Sequence, residues 1–167
     1  QLLPLHILLP LVMAVVCFLI KSPRLAKWLS IFASILHLLI AWMLVSLAIS
    51  KNGLAITYSI GGWQAPLGIS LGLNSFSSIM LAMSATVSLA IVVYSGHYFK
   101  DQQQAQRFWP LWWLLITALC GIFLSGDLFN LYVMLELLGL SGVSLIAISK
   151  SQSAIKAAYQ YLLVGLF

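Results

Sequence analysis

Residues 108–149 read FWPLWWLLITALCGIFLSGDLFNLYVMLELLGLSGVSLIAIS. Two long apolar runs, 108–126 and 128–149, meet at Ser125-Gly126-Asp127. Each is close to the roughly 20 residues that a helix needs to cross a bilayer. Only Asp127 and Glu136 are charged between Phe108 and Ser149. The same pattern extends outward. Over all 167 residues, 62% are hydrophobic and 7% charged, against about 25% charged in an ordinary soluble domain. Mean hydropathy is +1.07. A soluble enzyme or a nucleic-acid-binding domain of this size cannot hide so much apolar surface. Intrinsic disorder is excluded because it requires the opposite composition. The fold class is all-α, a polytopic membrane protein.

The charges divide the rest of the chain. Uncharged runs predict helices over about 2–20, 28–50, 75–96, 108–126, 128–149 and 153–167. The uncharged run between Lys51 and Lys100 is too long for one helix. Its first part carries Gly53, Gly61, Gly62, Pro66, Gly68 and Gly72, and it alternates at Ile56-Thr57-Tyr58-Ser59-Ile60. That reads as an extended, hairpin-like surface segment. The sixth helix falls short of a full span. We therefore expect residues 1–167 to be one transmembrane domain of a longer subunit.

Basic residues orient the bundle. Lys21, Arg24, Lys27, Lys100, Arg107, Lys150 and Lys156 fall at one end of the six helices, and Lys51 at the other. The positive-inside rule puts the first group in the cytoplasm, with the N-terminus and the Gly/Pro segment outside. The net charge of +5 thus reports topology rather than a polyanionic partner. The expected location is a bacterial or archaeal cell membrane. Trp28, Trp63, Trp109, Trp112 and Trp113 fall near helix ends and read as interfacial belt aromatics.

Glu136 lies deep in the fifth helix. A charge at that depth costs roughly 2.5–3.5 kcal/mol on insertion scales, and the side chain is too short to reach either interface. It is either a protonatable station in an ion path or a carboxyl group held by a neighbouring helix. Tyr132, four residues earlier, shares its face and is within reach to hydrogen-bond it. Asp127 follows Gly126 at the outer start of the helix, where it is a cap or a station at the mouth of a path. His37, mid-span, is a hydrogen-bonded core imidazole or a proton relay. His6 and His97 read as interfacial groups. Lys150 and Lys156 are topogenic, or Lys156 turns inward at a proton entry. Cys17 and Cys120 read as small buried hydrophobes. No metal spacing, phosphate loop, catalytic triad or cofactor-ligand pair is visible, so no cofactor and no catalytic chemistry of its own are expected.

Several segments resemble one family. Tyr94-Ser95-Gly96-His97-Tyr98-Phe99-Lys100-Asp101 is similar to the end of the third helix in antiporter-like subunits. That superfamily holds the proton-pumping subunits of respiratory complex I and the large subunits of Mrp-type cation/proton antiporters. Leu124-Ser125-Gly126-Asp127-Leu128-Phe129-Asn130 and the run to Glu136 resemble its short turn and fifth helix. The Gly-Asp-Leu-Phe-Asn form, and Gly61-Gly62-Trp63-Gln64-Ala65-Pro66-Leu67-Gly68-Ile69, look like the D-type large subunits of the Mrp antiporters and the related hydrogenase-linked subunits, so the host implied is an antiporter, a complex I-like or a hydrogenase complex. The resemblance implies proton or cation/proton translocation within a multisubunit complex, with other membrane subunits as partners and H⁺, Na⁺ or K⁺ as the ion. Any oxidoreductase label would come from the assembly. It also implies that Glu136 pairs with a lysine on a seventh helix and gates proton transfer. Two departures stand out. Gln160 occupies a place where many members carry lysine, and the later lysine-bearing helices are not in this sequence. A chain of this extent is not expected to pump alone. The alternative is a non-transporting membrane piece that packs against partner subunits, suited to the Gly/Ser-rich faces of these helices.

Overall fold

The computed structural model describes residues 2–52, 54–62 and 68–166. Trp63 and most of the Gly-Gly-Trp segment lie outside the described residues. Six helices follow one another: α1 (Leu2–Leu19), α2 (Pro23–Ser50), α3 (Ser75–Tyr98), α4 (Gln102–Leu124), α5 (Leu128–Ile146) and α6 (Gln152–Leu166). Five stretches are long and apolar enough to cross a membrane: α1 to α4, and α5 together with the turn that follows it. Between α2 and α3, β1 (Ile56–Ser59) and β2 (Ser70–Leu73) form an antiparallel hairpin in the register Ile56 to Leu73 and Ser59 to Ser70. The extended segment read from the glycines and the alternation is therefore a hairpin lying between membrane helices.

Two helices begin earlier than their apolar runs. α2 starts at Pro23 rather than near Trp28. Proline suits the first helical position, where its missing N–H is no loss. Arg24 and Lys27 interrupt the apolar run but not the helix. α4 starts at Gln102 rather than Phe108, because Asp101 accepts the Gln103 N–H at 2.9 Å and caps it. In both cases charge marks the membrane boundary, while capping marks the helix boundary. α3 opens with a reciprocal cap: Asn74 Oδ1 accepts from Ser77 N, and Ser77 Oγ accepts from Asn74 N, both at 2.8 Å. α5 passes through one 3₁₀ turn, Ala147–Ser149, and reverses at Lys150 with φ 53°.

α4 is the central helix. It packs on α1, α2, α3 and α5, while α6 packs mainly on α5 and the 3₁₀ turn. The core gathers around Trp109, Trp113, Ile116 and Leu124 of α4, with Leu44, Leu81 and Val92 from α2 and α3. Trp109, Trp112 and Trp113 are thus core residues, correcting their reading as belt aromatics. They sit in the first half of α4, and that helix is wrapped by others, so their rings meet protein instead of headgroups. Trp28 is exposed, as a lipid-facing aromatic is.

The hairpin is tied to the turn between α4 and α5. Gly126 N donates to Ser70 O at 2.7 Å. A Cβ on Gly126 would stand 2.8 Å from that carbonyl oxygen, so this approach requires glycine. The contact also puts the end of α4 and the start of α5 beside the hairpin. At the opposite end the Lys27 side chain lies across Gly96, joining the start of α2 to the end of α3.

Candidate functional site

Glu136 projects from the middle of α5 on a face that no other helix covers among the described residues. Tyr132 Oη donates to Glu136 Oε1 at 2.8 Å. That bond follows from helical geometry, since residues four apart stand one above the other. Tyr132 is itself 61% exposed. Around them Leu128, Phe129, Leu135 and Leu140 are also exposed, and nothing stands within 4 Å of a Cβ placed on Gly139. The carboxylate and phenol are therefore an isolated polar pair on an apolar, open helix face. Among the described residues, no cation lies within salt-bridge distance of Glu136. In a bilayer an unpaired carboxylate at this depth demands protein, water or a proton.

Asp127 has a different setting. Its Oδ1 accepts from Asn130 N at 2.7 Å, capping α5. Its Oδ2 accepts from Ser70 N at 2.9 Å, reaching the hairpin. Ser125 Oγ donates to Asp127 O at 2.8 Å, and Asn130 Nδ2 donates to Ser125 Oγ at 3.3 Å. Both carboxylate oxygens are engaged by backbone donors, so the Ser-Gly-Asp-x-x-Asn stretch works as a joint between hairpin and helices. The cap was legible from the sequence, but the bond to Ser70, 57 residues away, was not.

The other candidates are dispersed. Lys156 is exposed on α6, one turn before Gln160. His97 is exposed near the end of α3, with Nδ1 against Val93 O at 3.0 Å. His37 is fully buried and stacks on His6, with ring centroids 4.1 Å apart. Its other neighbours are Cys120 and Trp113. His6 is therefore no interfacial group: it faces inward from α1 and is 0% exposed. Glu136 and His37 belong to separate environments, one on the open face of α5 and one inside the α1–α2–α4 packing.

Comparison with known proteins agrees with this architecture. The family described as NADH-Ubiquinone oxidoreductase (complex I), chain 5 N-terminus, matches over residues 58–109. The D-type subunit of the Na(+)/H(+) antiporter of Bacillus subtilis is 31% identical, over 97% of this chain and 33% of its own length. The structure of the membrane-bound sulfane sulfur reductase, an archaeal respiratory membrane complex, contains a chain that superposes with a TM-score of 0.90. That chain is 27% identical, and the match covers 98% of this chain and 34% of that one. The structure of the Mrp complex from Dietzia sp. gives a TM-score of 0.84 at 26% identity, covering 98% of this chain and 31% of that one. This chain thus spans about a third of the length of the relatives it matches. With the family match over 58–109, the likeness to the Bacillus antiporter along nearly the whole sequence and the shared helix arrangement, the chain belongs to the antiporter-like subunit superfamily of complex I and the Mrp-type antiporters.

Proposed function

We propose that this chain supplies the protonatable glutamate of a cation/proton-translocating membrane complex of the Mrp type or of a complex I-like type. The observation that carries this reading is Glu136: a carboxylate in the middle of a membrane helix, bonded among the described residues only to Tyr132 and turned toward space that those residues leave open. Such a group takes up a proton when isolated and releases it when a cation approaches, because a nearby positive charge favours the carboxylate. A lysine on a further helix of the subunit is the cation that the family resemblance implies. Bringing that lysine close and then withdrawing it would load and unload Glu136, which is a switch able to move a proton onward.

Lys156, at the cytoplasmic start of α6, is assigned the entry side of that route. Asp127 holds the outer mouth in shape. His37 lies off the route in the buried α1–α2–α4 packing. The partners are other integral membrane subunits, the lipid bilayer, and protons exchanged with Na⁺ or K⁺. The likeness to the Bacillus Na(+)/H(+) antiporter and the fold shared with a chain of the Mrp complex support this reading.

The test is Glu136→Gln in the complete assembly, measured in everted vesicles as collapse of a proton gradient on adding Na⁺ or K⁺. Gln keeps the shape and a hydrogen bond to Tyr132 but cannot carry the proton. Activity should fall at least about 100-fold with normal subunit content, the scale on which loss of an essential proton-transfer group acts. Undiminished exchange would refute the proposal. It would favour the packing-only reading, toward which Gln160 in place of a lysine points.

A further inference from the structure

A second polar cluster lies away from Glu136. α1, α2 and α4 bring His6, His37 and Cys120 together in the interior, with one ligand-type atom from each within 4.8 Å of the others. All three side chains are 0% exposed. Both ring nitrogens of His6, and Nδ1 of His37, have no hydrogen-bond partner among the described residues. Buried polar atoms are nearly always satisfied, so three unsatisfied nitrogens on two touching rings call for a ligand.

The donor set names the kind of ligand. Two imidazoles and a thiol are the groups that soft transition-metal ions select. Cys120 Sγ lies 3.6 Å from His37 Nε2. Metal bonds of about 2.3 Å to sulfur and 2.0 Å to nitrogen, at trigonal or tetrahedral angles, separate the two donors by about 3.5–3.7 Å. The sulfur and the His37 nitrogen therefore already stand at chelating distance. The two rings are nearly parallel, at 11°, whereas an ion lies in the plane of each ring that binds it. Binding must turn one imidazole out of the stack. Charge decides between ions. A thiolate with Cu⁺ is neutral overall, while a divalent ion leaves a net positive charge in an apolar interior, which is costly.

We propose that His6, His37 and Cys120 form a structural site for one Cu⁺ ion, held by two imidazole nitrogens and the Cys120 thiolate. On loading, Cu⁺ replaces the thiol proton, which leaves to water, so charge balances and no redox step occurs. The ion would crosslink α1, α2 and α4, which otherwise meet there through stacked rings and a weak thiol contact. The proposal is independent of the role of Glu136, because its readout is bound metal rather than transport.

The test uses the complete subunit in lipid nanodiscs under reducing conditions, equilibrated with chelator-buffered Cu⁺ and separately with Zn²⁺. We expect one copper per chain, an absorption edge showing nitrogen and sulfur ligation, and a raised thermal midpoint with Cu⁺. Cys17→Ser should bind as the parent does, because that thiol contacts Ser30 and not the histidines. Cys120→Ser and His6→Gln should weaken binding by more than about 100-fold, beyond what loss of an outer-shell partner costs. A monodisperse parent protein without copper would overturn the site and leave enclosed water as the partner of these nitrogens. Undiminished binding by Cys120→Ser would overturn the ligand set, and tighter binding of Zn²⁺ would overturn the assignment to Cu⁺.

Discussion

Glu136 and Tyr132 meet because they are one helical turn apart, and at the residue scale the phenol is the handle on the carboxylate. Tyr132 Oη donates the one hydrogen bond that Glu136 receives within the described residues. A donor to a carboxylate stabilises its charged form and disfavours protonation. Tyr132→Phe removes that donor and keeps the ring. We expect exchange to fall by about 3- to 10-fold rather than vanish, in line with the net worth of one ordinary hydrogen bond, about 0.5–1.5 kcal/mol. Initial rates of exchange in the Tyr132→Phe assembly check this. An unchanged rate would remove Tyr132 from the mechanism.

At the scale of elements, the hairpin and the α4–α5 turn hold each other through backbone bonds. Gly126 is the point of closest approach. A Cβ there would stand 2.8 Å from Ser70 O and 3.1 Å from Ser70 C, both backbone atoms that cannot swing aside. Gly126→Ala therefore forces the hairpin from α5 and strains the Gly126 N to Ser70 O bond. The expected cost is about 1–3 kcal/mol, the range found for overpacking. It would be read as a lower thermal midpoint of the purified subunit and faster proteolysis of the hairpin. A midpoint equal to that of the parent would show that the joint yields at no cost. The joint also explains why a capping aspartate follows glycine here: the glycine admits the strand, and both aspartate oxygens then serve the strand and the helix.

For the whole molecule, orientation is the property to test. Seven basic residues at one end and Lys51 at the other place the hairpin outside. With Cys17 and Cys120 replaced by serine, Thr57→Cys in β1 should react with an impermeant maleimide in intact cells. Lys100→Cys, between α3 and α4, should react only after permeabilisation. The reverse pattern would invert the topology and move the joint at Asp127 to the cytoplasmic side. The same bundle presents two contrasting surfaces. α4 is enclosed by its neighbours, whereas α5 turns Glu136 and Tyr132 outward. A polar pair on an otherwise apolar face is where further helices of a longer subunit would pack.

Hydropathy and charge spacing were enough to read the six helices and the extended segment before α3. These features are local, set by periodicity, capping and the cost of placing a charge in hydrocarbon. The Tyr132–Glu136 bond was legible for the same reason, since four-residue spacing in a helix is a distance. The starts of α2 and α4 were misjudged because charge bounds the membrane and not the helix. The burial of the three α4 tryptophans depends on which helix lies at the centre, and a hydropathy run does not encode that. His6, His37 and Cys120 are 31 and 83 positions apart along the chain, so no motif joins them. Only the packing of α1 and α2 against α4 brings their donors to one place, because side chains from separate helices acquire a common geometry solely through the tertiary fold.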